Sequence, residues 1–227
     1  MPNLDRQLGD SEAYRRLREA LVSGPVAEAV SDPRVLDAMR RVPRHSFVPT
    51  RLLRHAYDDE PLPIGLGQTI PQPSLIALMA ELAMVQRGDR VLEVGTGSGY
   101  QAAVLAQLTD ELYSVEIVPE LAASARAVLD ALGWGSIRTD RRDGYLGWPE
   151  HAPYRAIVVS AAPDHLPPAL VDQLAPDGGR LVVPIGPRGD LQELWLVTRR
   201  GEDIASERIT AVRFVPLTRD RRGPSGG

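Results

Sequence analysis

The spacing of apolar residues changes along the chain and predicts two kinds of architecture. Before residue 43 the apolar positions follow a helical period, so that Val35, Leu36, Met39 and Val42 fall on one helix face. After residue 74, short apolar runs alternate with helical patterns, which indicates βαβ units and a mostly parallel sheet. We predict helices over 11–22, 32–42, 74–84, 100–108, from 119 onward and over 167–174, and strands over 90–94, 112–116, 156–160, 180–185, 193–198 and 204–215.

Local signals predict where the two N-terminal helices begin. Ser11 precedes the first helical pattern and can serve as its N-cap. Asp32 can cap the second helix, and Pro33 then lies in the first turn, where its missing N–H costs nothing.

Residues 43–73 are rich in proline and glycine, which predicts a long segment with little regular structure. A loop of this length is uncommon in a compact domain and is usually functional. We therefore expect this segment to be a mobile lid over a binding site.

The most informative segment is a glycine-rich turn after the strand predicted over 90–94. Gly95, Gly97 and Gly99 occupy alternate positions, and a helix is predicted directly after them. Such glycines permit a tight bend and a close approach of ligand to backbone, and the helix N-terminus offers free N–H groups to an anion. A dinucleotide fingerprint needs glycine or alanine at position 100, where this chain has Tyr100. With Glu93 two positions before the first glycine, the pattern instead resembles motif I of S-adenosylmethionine-dependent methyltransferases.

Two later acidic positions fit a nucleoside at the same sheet edge. Glu116 ends the next predicted strand, and a carboxylate there can accept hydrogen bonds from both ribose hydroxyls. Asp143 and Gly144 follow a further strand region, where an acidic side chain can accept from an adenine amino group. An ordinary Asp-Gly turn is the alternative reading of that pair.

Composition excludes several other chemistries. The 227 residues include no cysteine, which excludes disulfides, thiol nucleophiles and thiolate zinc sites. All 26 basic residues are arginine, which excludes a Schiff-base lysine and the lysine of a P-loop. The four histidines show no metal-ligand spacing, so we expect no metal. The net charge of −4 gives no electrostatic reason to expect nucleic acid as a partner.

The chain length and the longest apolar stretch predict a single cytoplasmic domain. No secretory signal is visible, and no apolar stretch is long enough to span a bilayer, so we expect no membrane partner. We expect residues 1–73 to supply N-terminal helices and the lid, residues 74–217 to form the core, and residues 218–227 to be a disordered tail.

Over roughly residues 33–217 the chain resembles the protein-L-isoaspartate O-methyltransferases. The matching stretches are highly specific in combination. They are VPRHSFVP (42–49), AYDDEPLPIGLGQTI (56–70), VLEVGTGSGYQAAVLAQL (91–108), YSVEIVPELAASARAVLDALG (113–133), DGYLGWPEHAPY (143–154), SAAPDHLPPALVDQLAPDGGRLVVPIG (160–186) and VRFVPL (212–217).

This resemblance implies both a fold and an activity. The implied fold is α/β, a Rossmann-like methyltransferase sheet with helices on both faces and an N-terminal helical segment. The implied reaction transfers a methyl group from S-adenosylmethionine, leaving S-adenosylhomocysteine, to the α-carboxylate of an L-isoaspartyl residue in a damaged protein or peptide. The ester then cyclises to a succinimide, and hydrolysis returns some normal aspartyl linkage. The expected partners are isoaspartyl proteins, and a monomer is the default state.

The resemblance also implies which residues form the site. The implied cofactor-binding positions are Thr69, Ile70, Gly95, Thr96, Gly97, Ser98, Gly99, Glu116, Asp143 and Gly144. The implied substrate positions are Gly65, Gln68, Pro71, Val215 and Pro216.

One departure from the family pattern concerns the catalytic loop. Many members have a serine, often given the active-site role, where this chain has Pro71, so no hydroxyl acts there. The reaction needs no base, because a carboxylate is already ionised at pH 7. Thr69 and Gln72 are the candidate catalytic residues that orient the substrate carboxylate. Gln68 and local backbone N–H groups are alternatives, and the sequence does not rank the candidates.

Two alternatives to repair of damaged proteins stay open. The altered loop at Pro71 fits a specialised relative that methylates an Asp side chain of a dedicated precursor peptide, to form an aspartimide or isoaspartate. A non-catalytic S-adenosylmethionine- or protein-binding module is the other alternative, and the intact glycines and Glu116 argue against it.

Overall fold

Short apolar runs form a central sheet in the computed structural model, which describes residues 9–219. The strands of the sheet and of a separate hairpin are β1 (Leu62–Gly65), β2 (Gln68–Ile70), β3 (Arg90–Val94), β4 (Glu111–Glu116), β5 (Arg138–Arg141), β6 (Ala156–Val159), β7 (Asp177–Ile185), β8 (Gln192–Arg200) and β9 (Asp203–Val212). The sheet has seven strands in the order β5-β4-β3-β6-β7-β8-β9, while β1 and β2 pair with each other. The first five strands in that order are parallel to one another, β8 is antiparallel to β7, and β9 is antiparallel to β8. The predicted α/β class is therefore confirmed.

Helices precede the sheet and connect its parallel strands. They are α1 (Glu12–Leu21), α2 (Pro33–Arg41), α3 (Pro73–Ala83), α4 (Tyr100–Leu105), α5 (Pro119–Ala131) and α6 (Pro168–Asp172). Both predicted N-caps form, because Ser11 accepts a hydrogen bond from Tyr14 N and Asp32 accepts one from Arg34 N. A π-helical turn (Val22–Val26) and the helical turn Ala27–Ala29 lie between α1 and α2.

The core lies on both faces of the sheet, because neighbouring residues of each parallel strand point to opposite sides. In β3, Val91 belongs to the apolar cluster shared with the N-terminal helices, α3 and α4. The adjacent Leu92 belongs to a second cluster with Tyr154 and Leu170. The sheet is thus buried on both sides, which leaves the ends of its strands as the place for a ligand.

The prediction of little regular structure over residues 43–73 is wrong. This segment contains two 3₁₀ helices, Arg44–Phe47 and Thr50–His55, and the antiparallel hairpin β1–β2. Most of its prolines lie at the boundaries of these elements, although Pro63 lies within β1, and Gly65 and Gly67 have positive φ in the hairpin turn. Elements of three to six residues are too short for an apolar period to reveal them.

Several predicted boundaries also need correction. The strand predicted over 180–185 begins at Asp177, the strand predicted over 193–198 ends at Arg200, and the helix predicted over 167–174 ends at Asp172. The helix predicted over 100–108 ends at Leu105. The strand predicted over 204–215 ends at Val212, because the chain then leaves the sheet and Ala162 N donates a hydrogen bond to Val215 O at 2.8 Å. Of the tail predicted over 218–227, residues 220–227 lie outside the described residues, and Arg219 lies over the Tyr145 ring.

Candidate active site

A cleft opens where the parallel strands end. The strand order places β4 and β6 on opposite sides of β3, so the chain connections diverge there, and ligands of open α/β sheets bind at such a point. Gly95 N donates a hydrogen bond to Val115 O at 2.9 Å, and Ser160 N donates one to Val94 O at 2.8 Å. The glycine turn therefore continues β3 between the ends of its two neighbours.

Most of the predicted site residues meet in this cleft. The predicted positions that line it are Gln68, Thr69, Ile70, Pro71, Gly95, Thr96, Gly97, Ser98, Glu116, Gly144, Val215 and Pro216. The hairpin strand β2, the glycine turn and the chain after β9 thus form its walls, although they are far apart in the sequence.

Three other predicted positions lie outside the cleft lining. Gly65 is in the turn of the β1–β2 hairpin, with φ +96°. Gln72 donates a hydrogen bond through Nε2 to Ser74 Oγ at 3.0 Å, so its amide is already used at the start of α3. Asp143 accepts a hydrogen bond from Tyr145 N at 3.0 Å and caps a short 3₁₀ helix, whereas the next residue, Gly144, lines the cleft.

The three glycines of the turn have different structural roles. All have positive φ, which non-glycine residues rarely adopt. Gly97 lines the cleft, and a Cβ there would lie 3.6 Å from Ile64 Cδ1. Gly99, the fourth predicted position outside the lining, would place a Cβ 3.3 Å from Leu129 Cγ. Its missing side chain therefore allows the start of α4 to pack closely against α5.

Glu116 ties the end of β4 to the glycine turn. Its Oε2 accepts a hydrogen bond from Gly97 N at 2.8 Å, and its Oε1 accepts one from Val118 N at 3.0 Å. A carboxylate oxygen has two lone pairs, so each oxygen keeps one acceptor position for a ligand hydroxyl. This arrangement fits a ribose at the cleft.

Glu93 lies directly under the turn and is fully buried. Burial raises the pKa of Glu93 to about 8, and the charge of Glu116 adds to the rise, although a hydrogen bond from Ser114 Oγ opposes it. Its Oε1 has no hydrogen-bond partner among the described residues. At neutral pH this carboxyl is mostly protonated, so it places little second negative charge beneath the cleft.

Two polar residues of the cleft have no predicted role. Ser160 Oγ donates to Gln101 Oε1 at 2.8 Å, and Gln101 Nε2 is a buried donor without a partner among the described residues. Buried donors are nearly always paired, so this one is a candidate contact for a ligand. The signal in the sequence was a polar residue in the otherwise apolar start of α4, next to Tyr100.

Other site types find little support within residues 9–219. No three His, Cys, Asp or Glu side chains there are arranged to hold a metal ion. None of the described helices is both long and apolar enough to cross a bilayer. His45, in the motif at 42–49, is buried, and its Nδ1 lies 2.6 Å from the Tyr57 hydroxyl, which is a structural contact.

The fold and the cleft together define a Rossmann-like α/β methyltransferase. The family model of the protein-L-isoaspartate(D-aspartate) O-methyltransferases (PCMT) matches residues 17–222. The chain therefore belongs to this family, whose members depend on S-adenosylmethionine, and the resemblance seen in the sequence is confirmed.

Individual relatives agree with this assignment. The chain is 52% identical over 211 residues to protein-L-isoaspartate O-methyltransferase 2 of Shewanella sediminis, covering 92% of this chain and 86% of that protein. It is 54% identical over 187 residues to protein-L-isoaspartate O-methyltransferase of Gloeobacter violaceus, covering 82% and 91%.

Solved structures show the same fold. A protein-L-isoaspartate O-methyltransferase superposes with a TM-score of 0.80 at 31% identity, covering 88% of this chain and 66% of that one. A Plasmodium falciparum protein, described as a protein-L-isoaspartate O-methyltransferase and solved with S-adenosyl-L-homocysteine, superposes with a TM-score of 0.76 at 24% identity. That match covers 91% of this chain and 99% of the other.

Proposed function

We propose that this protein transfers the methyl group of S-adenosylmethionine to the α-carboxylate of L-isoaspartyl residues in damaged proteins. The observation that carries the proposal is that one cleft has two halves, one suited to a nucleoside and one suited to the substrate carboxylate. The first half comprises Gly95–Ser98 and Glu116, and the second comprises Thr69–Pro71 and Val215–Pro216. The cytoplasmic location and the monomeric state stay predictions.

The nucleoside half fits S-adenosylmethionine. This cofactor, when bound, supplies a methyl group activated by a positive sulfur. Gly95 and Gly97 have no side chains to fill the cleft, and Glu116 keeps one free acceptor position on each oxygen for the two ribose hydroxyls. Gly144 lines the same half, and a Cβ there would overlap Val94 Cγ1, so only glycine fits against the end of β3.

The other half must align a carboxylate rather than activate it. The substrate carboxyl is ionised at pH 7, so no side chain has to remove a proton. Orientation and exclusion of water are then the main contributions, and orientation supplies about 7–11 kcal/mol in well-aligned reactions. Thr69 Oγ and the unpaired Gln101 Nε2 are our candidate donors to the carboxylate, because both residues line the cleft. Gln72 is the weaker candidate, since its amide donates to Ser74.

The direct test offers the protein two matched peptides. Radiolabelled S-adenosylmethionine is supplied with an isoaspartyl peptide and with the aspartyl peptide of the same sequence. We expect base-labile label on the isoaspartyl peptide only. Labelling of neither peptide, with S-adenosylmethionine binding intact, would reject repair and favour a dedicated peptide substrate. Absence of binding would reject both enzymatic readings.

Thr69 can be tested separately from the cofactor half. We expect Thr69→Ala to reduce kcat/KM for the isoaspartyl peptide by a factor of about 10–150, because a hydrogen bond to a charged group contributes about 1.5–3 kcal/mol. Thr69→Ser keeps the hydroxyl and should retain most of the activity. Steady-state kinetics measures both variants, and a wild-type rate for Thr69→Ala would remove the hydroxyl from the mechanism.

A further inference from the structure

A fully buried arginine lies behind the substrate half of the cleft. Arg44, at the start of the 3₁₀ helix after α2, has no exposed surface. Its Nη1 donates to Ala56 O at 2.8 Å and to Asp58 O at 3.2 Å. Its Nη2 donates to Glu60 O at 3.0 Å and to Pro71 O at 3.1 Å. One guanidinium thus joins four backbone carbonyls of a single segment.

The surroundings of this cation are unusual for a buried charge. Among the described residues no carboxylate accepts a hydrogen bond from Arg44, and its guanidinium lies 5.8 Å from the centre of the Tyr100 ring. Burial lowers the pKa of Arg44, while Tyr100 and Asp59 oppose that shift. Burying a charge without a paired carboxylate costs desolvation free energy, so burial alone would favour a neutral residue at this position. The four carbonyl contacts are what distinguish arginine at this position.

The segment that Arg44 holds forms one wall of the cleft. Residues 56–71 include the hairpin β1–β2 and end at Pro71, and Thr69, Ile70 and Pro71 all line the cleft. A second contact ties the segment to α3, because Asp59 accepts from Ser74 N at 2.8 Å and from Ser74 Oγ at 2.7 Å. Arg44 itself is not among the residues that line the cleft.

We propose that Arg44 is a positioning residue for methyl transfer. By holding the carbonyls of residues 56–60 and of Pro71 together, it sets the distance between the Thr69–Pro71 wall and the glycine turn. The proposal rests on the proposed function. Displacement of a reacting group by about 1 Å can lower a rate about 100-fold, so the clamp acts on catalysis without touching the substrate.

The decisive variant is Arg44→Lys, which keeps the charge but replaces the planar fork by one ammonium with three donors. That ammonium does not span carbonyls on both sides of the hairpin. We expect kcat/KM for an isoaspartyl peptide to fall about 100-fold. The Kd for S-adenosylhomocysteine should stay within about threefold of the wild type, because residues without a shared contact change each other's free energies by only a few tenths of a kcal/mol. Arg44→Ala should regain activity when guanidinium ion is added at millimolar concentration.

The matched control is Arg180→Lys. Arg180 also donates to a backbone carbonyl, Leu82 O, at 2.6 Å, and desolvation lowers the pKa of its guanidinium too, but Leu82 does not line the cleft. We expect wild-type kcat/KM for this variant, and no effect of added guanidinium on Arg180→Ala. A loss of activity equal to that of Arg44→Lys would assign the effect to generic destabilisation and overturn the proposal.

Hydrogen exchange keeps the inference testable if the peptide is not a substrate. In Arg44→Lys we expect faster amide exchange confined to residues 56–71, with β3 and β4 unchanged. Inactive wild-type protein would reject the proposed function, whereas unchanged exchange over 56–71 would reject the clamp. Failure of Arg44→Lys to fold, or equal loss of S-adenosylhomocysteine binding, would show a general stabilising role and likewise overturn the positioning role.

Discussion

At the scale of single residues, the glycines of the turn have two different roles, one in lining the cleft and one in helix packing. Gly97 faces the cleft, whereas Gly99 faces Leu129 on α5. Both positions have positive φ, so the backbone alone does not distinguish their roles. The neighbours that a side chain would meet do distinguish them, and those neighbours cannot be read from the sequence.

Gly99→Ala should destabilise the protein by packing as well as by backbone strain. An alanine in this backbone region costs about 1–2 kcal/mol, and the added Cβ meets Leu129 Cγ at 3.3 Å. Gly133→Ala is the control, because Gly133 has φ +87° and a Cβ there meets nothing within 4 Å. We expect the free energy of unfolding in urea to fall about 1–3 kcal/mol further for Gly99→Ala. Equal losses would contradict the packing role.

Glu93 should make stability depend on pH in the opposite direction from a paired carboxylate. Its pKa is raised by burial from 4.5 to about 8 in the folded protein. Between these values the native state binds more protons than the unfolded state, so stability falls as pH rises and levels off above the folded pKa. Relative to the isosteric Glu93→Gln variant, wild-type protein should lose stability from about pH 5 to 8. Parallel pH profiles in urea unfolding would contradict this.

At the scale of secondary-structure elements, the long periodic segments could be predicted and the short ones could not. Strand β3 lies at 90–94 as predicted, and α1, α2 and α3 lie within about a residue of their predicted ends. The hairpin β1–β2 was missed because three or four residues give no usable period. Arg44, which lies outside the hairpin in the sequence, donates hydrogen bonds to the carbonyls of Glu60 and Pro71 at its two ends.

The candidate site shows the same limit. The glycine turn and Glu116 are local patterns, so the sequence alone predicts them. The contact of Gln101 with Ser160 depends on α4 and β6 meeting at the cleft, which only the fold determines. Gln72 and Gly65 lie outside the cleft lining, because the motif alone does not fix how the hairpin and α3 are placed, and their roles stay predictions.

The chain after β9 depends on Gln192 for its place at the cleft. Gln192 is buried in β8, and its Oε1 accepts from Phe214 N at 2.7 Å. We expect Gln192→Met to speed amide exchange over residues 213–217 and to raise the KM of the isoaspartyl peptide about fivefold, as for one hydrogen bond of about 1 kcal/mol. Gln173→Met, which removes a buried glutamine bound at Trp148 N, should leave exchange over 213–217 unchanged. Unaltered exchange in Gln192→Met would contradict this anchoring.

At the scale of the whole molecule, the sheet order explains why distant segments share one cleft. The parallel strands bring Gly95, Glu116 and Ser160 to a single edge, and the chain closes over that edge from both termini. From the N-terminal side comes the hairpin with Thr69, and from the C-terminal side comes Val215. The central claim is that the donor binds in this cleft on the glycine turn.

Calorimetric titration with S-adenosylhomocysteine tests that claim most directly, on the wild type and on Gly97→Val. Gly97 lines the cleft, whereas Gly88 has a similar positive φ and a Cβ there meets nothing within 4 Å, so Gly88→Val controls for backbone strain. We predict one equivalent bound by the wild type and by Gly88→Val, and a Kd at least about tenfold higher for Gly97→Val, a difference of about 1.4 kcal/mol. Equal affinity of Gly97→Val and the wild type would contradict the location of the cofactor site.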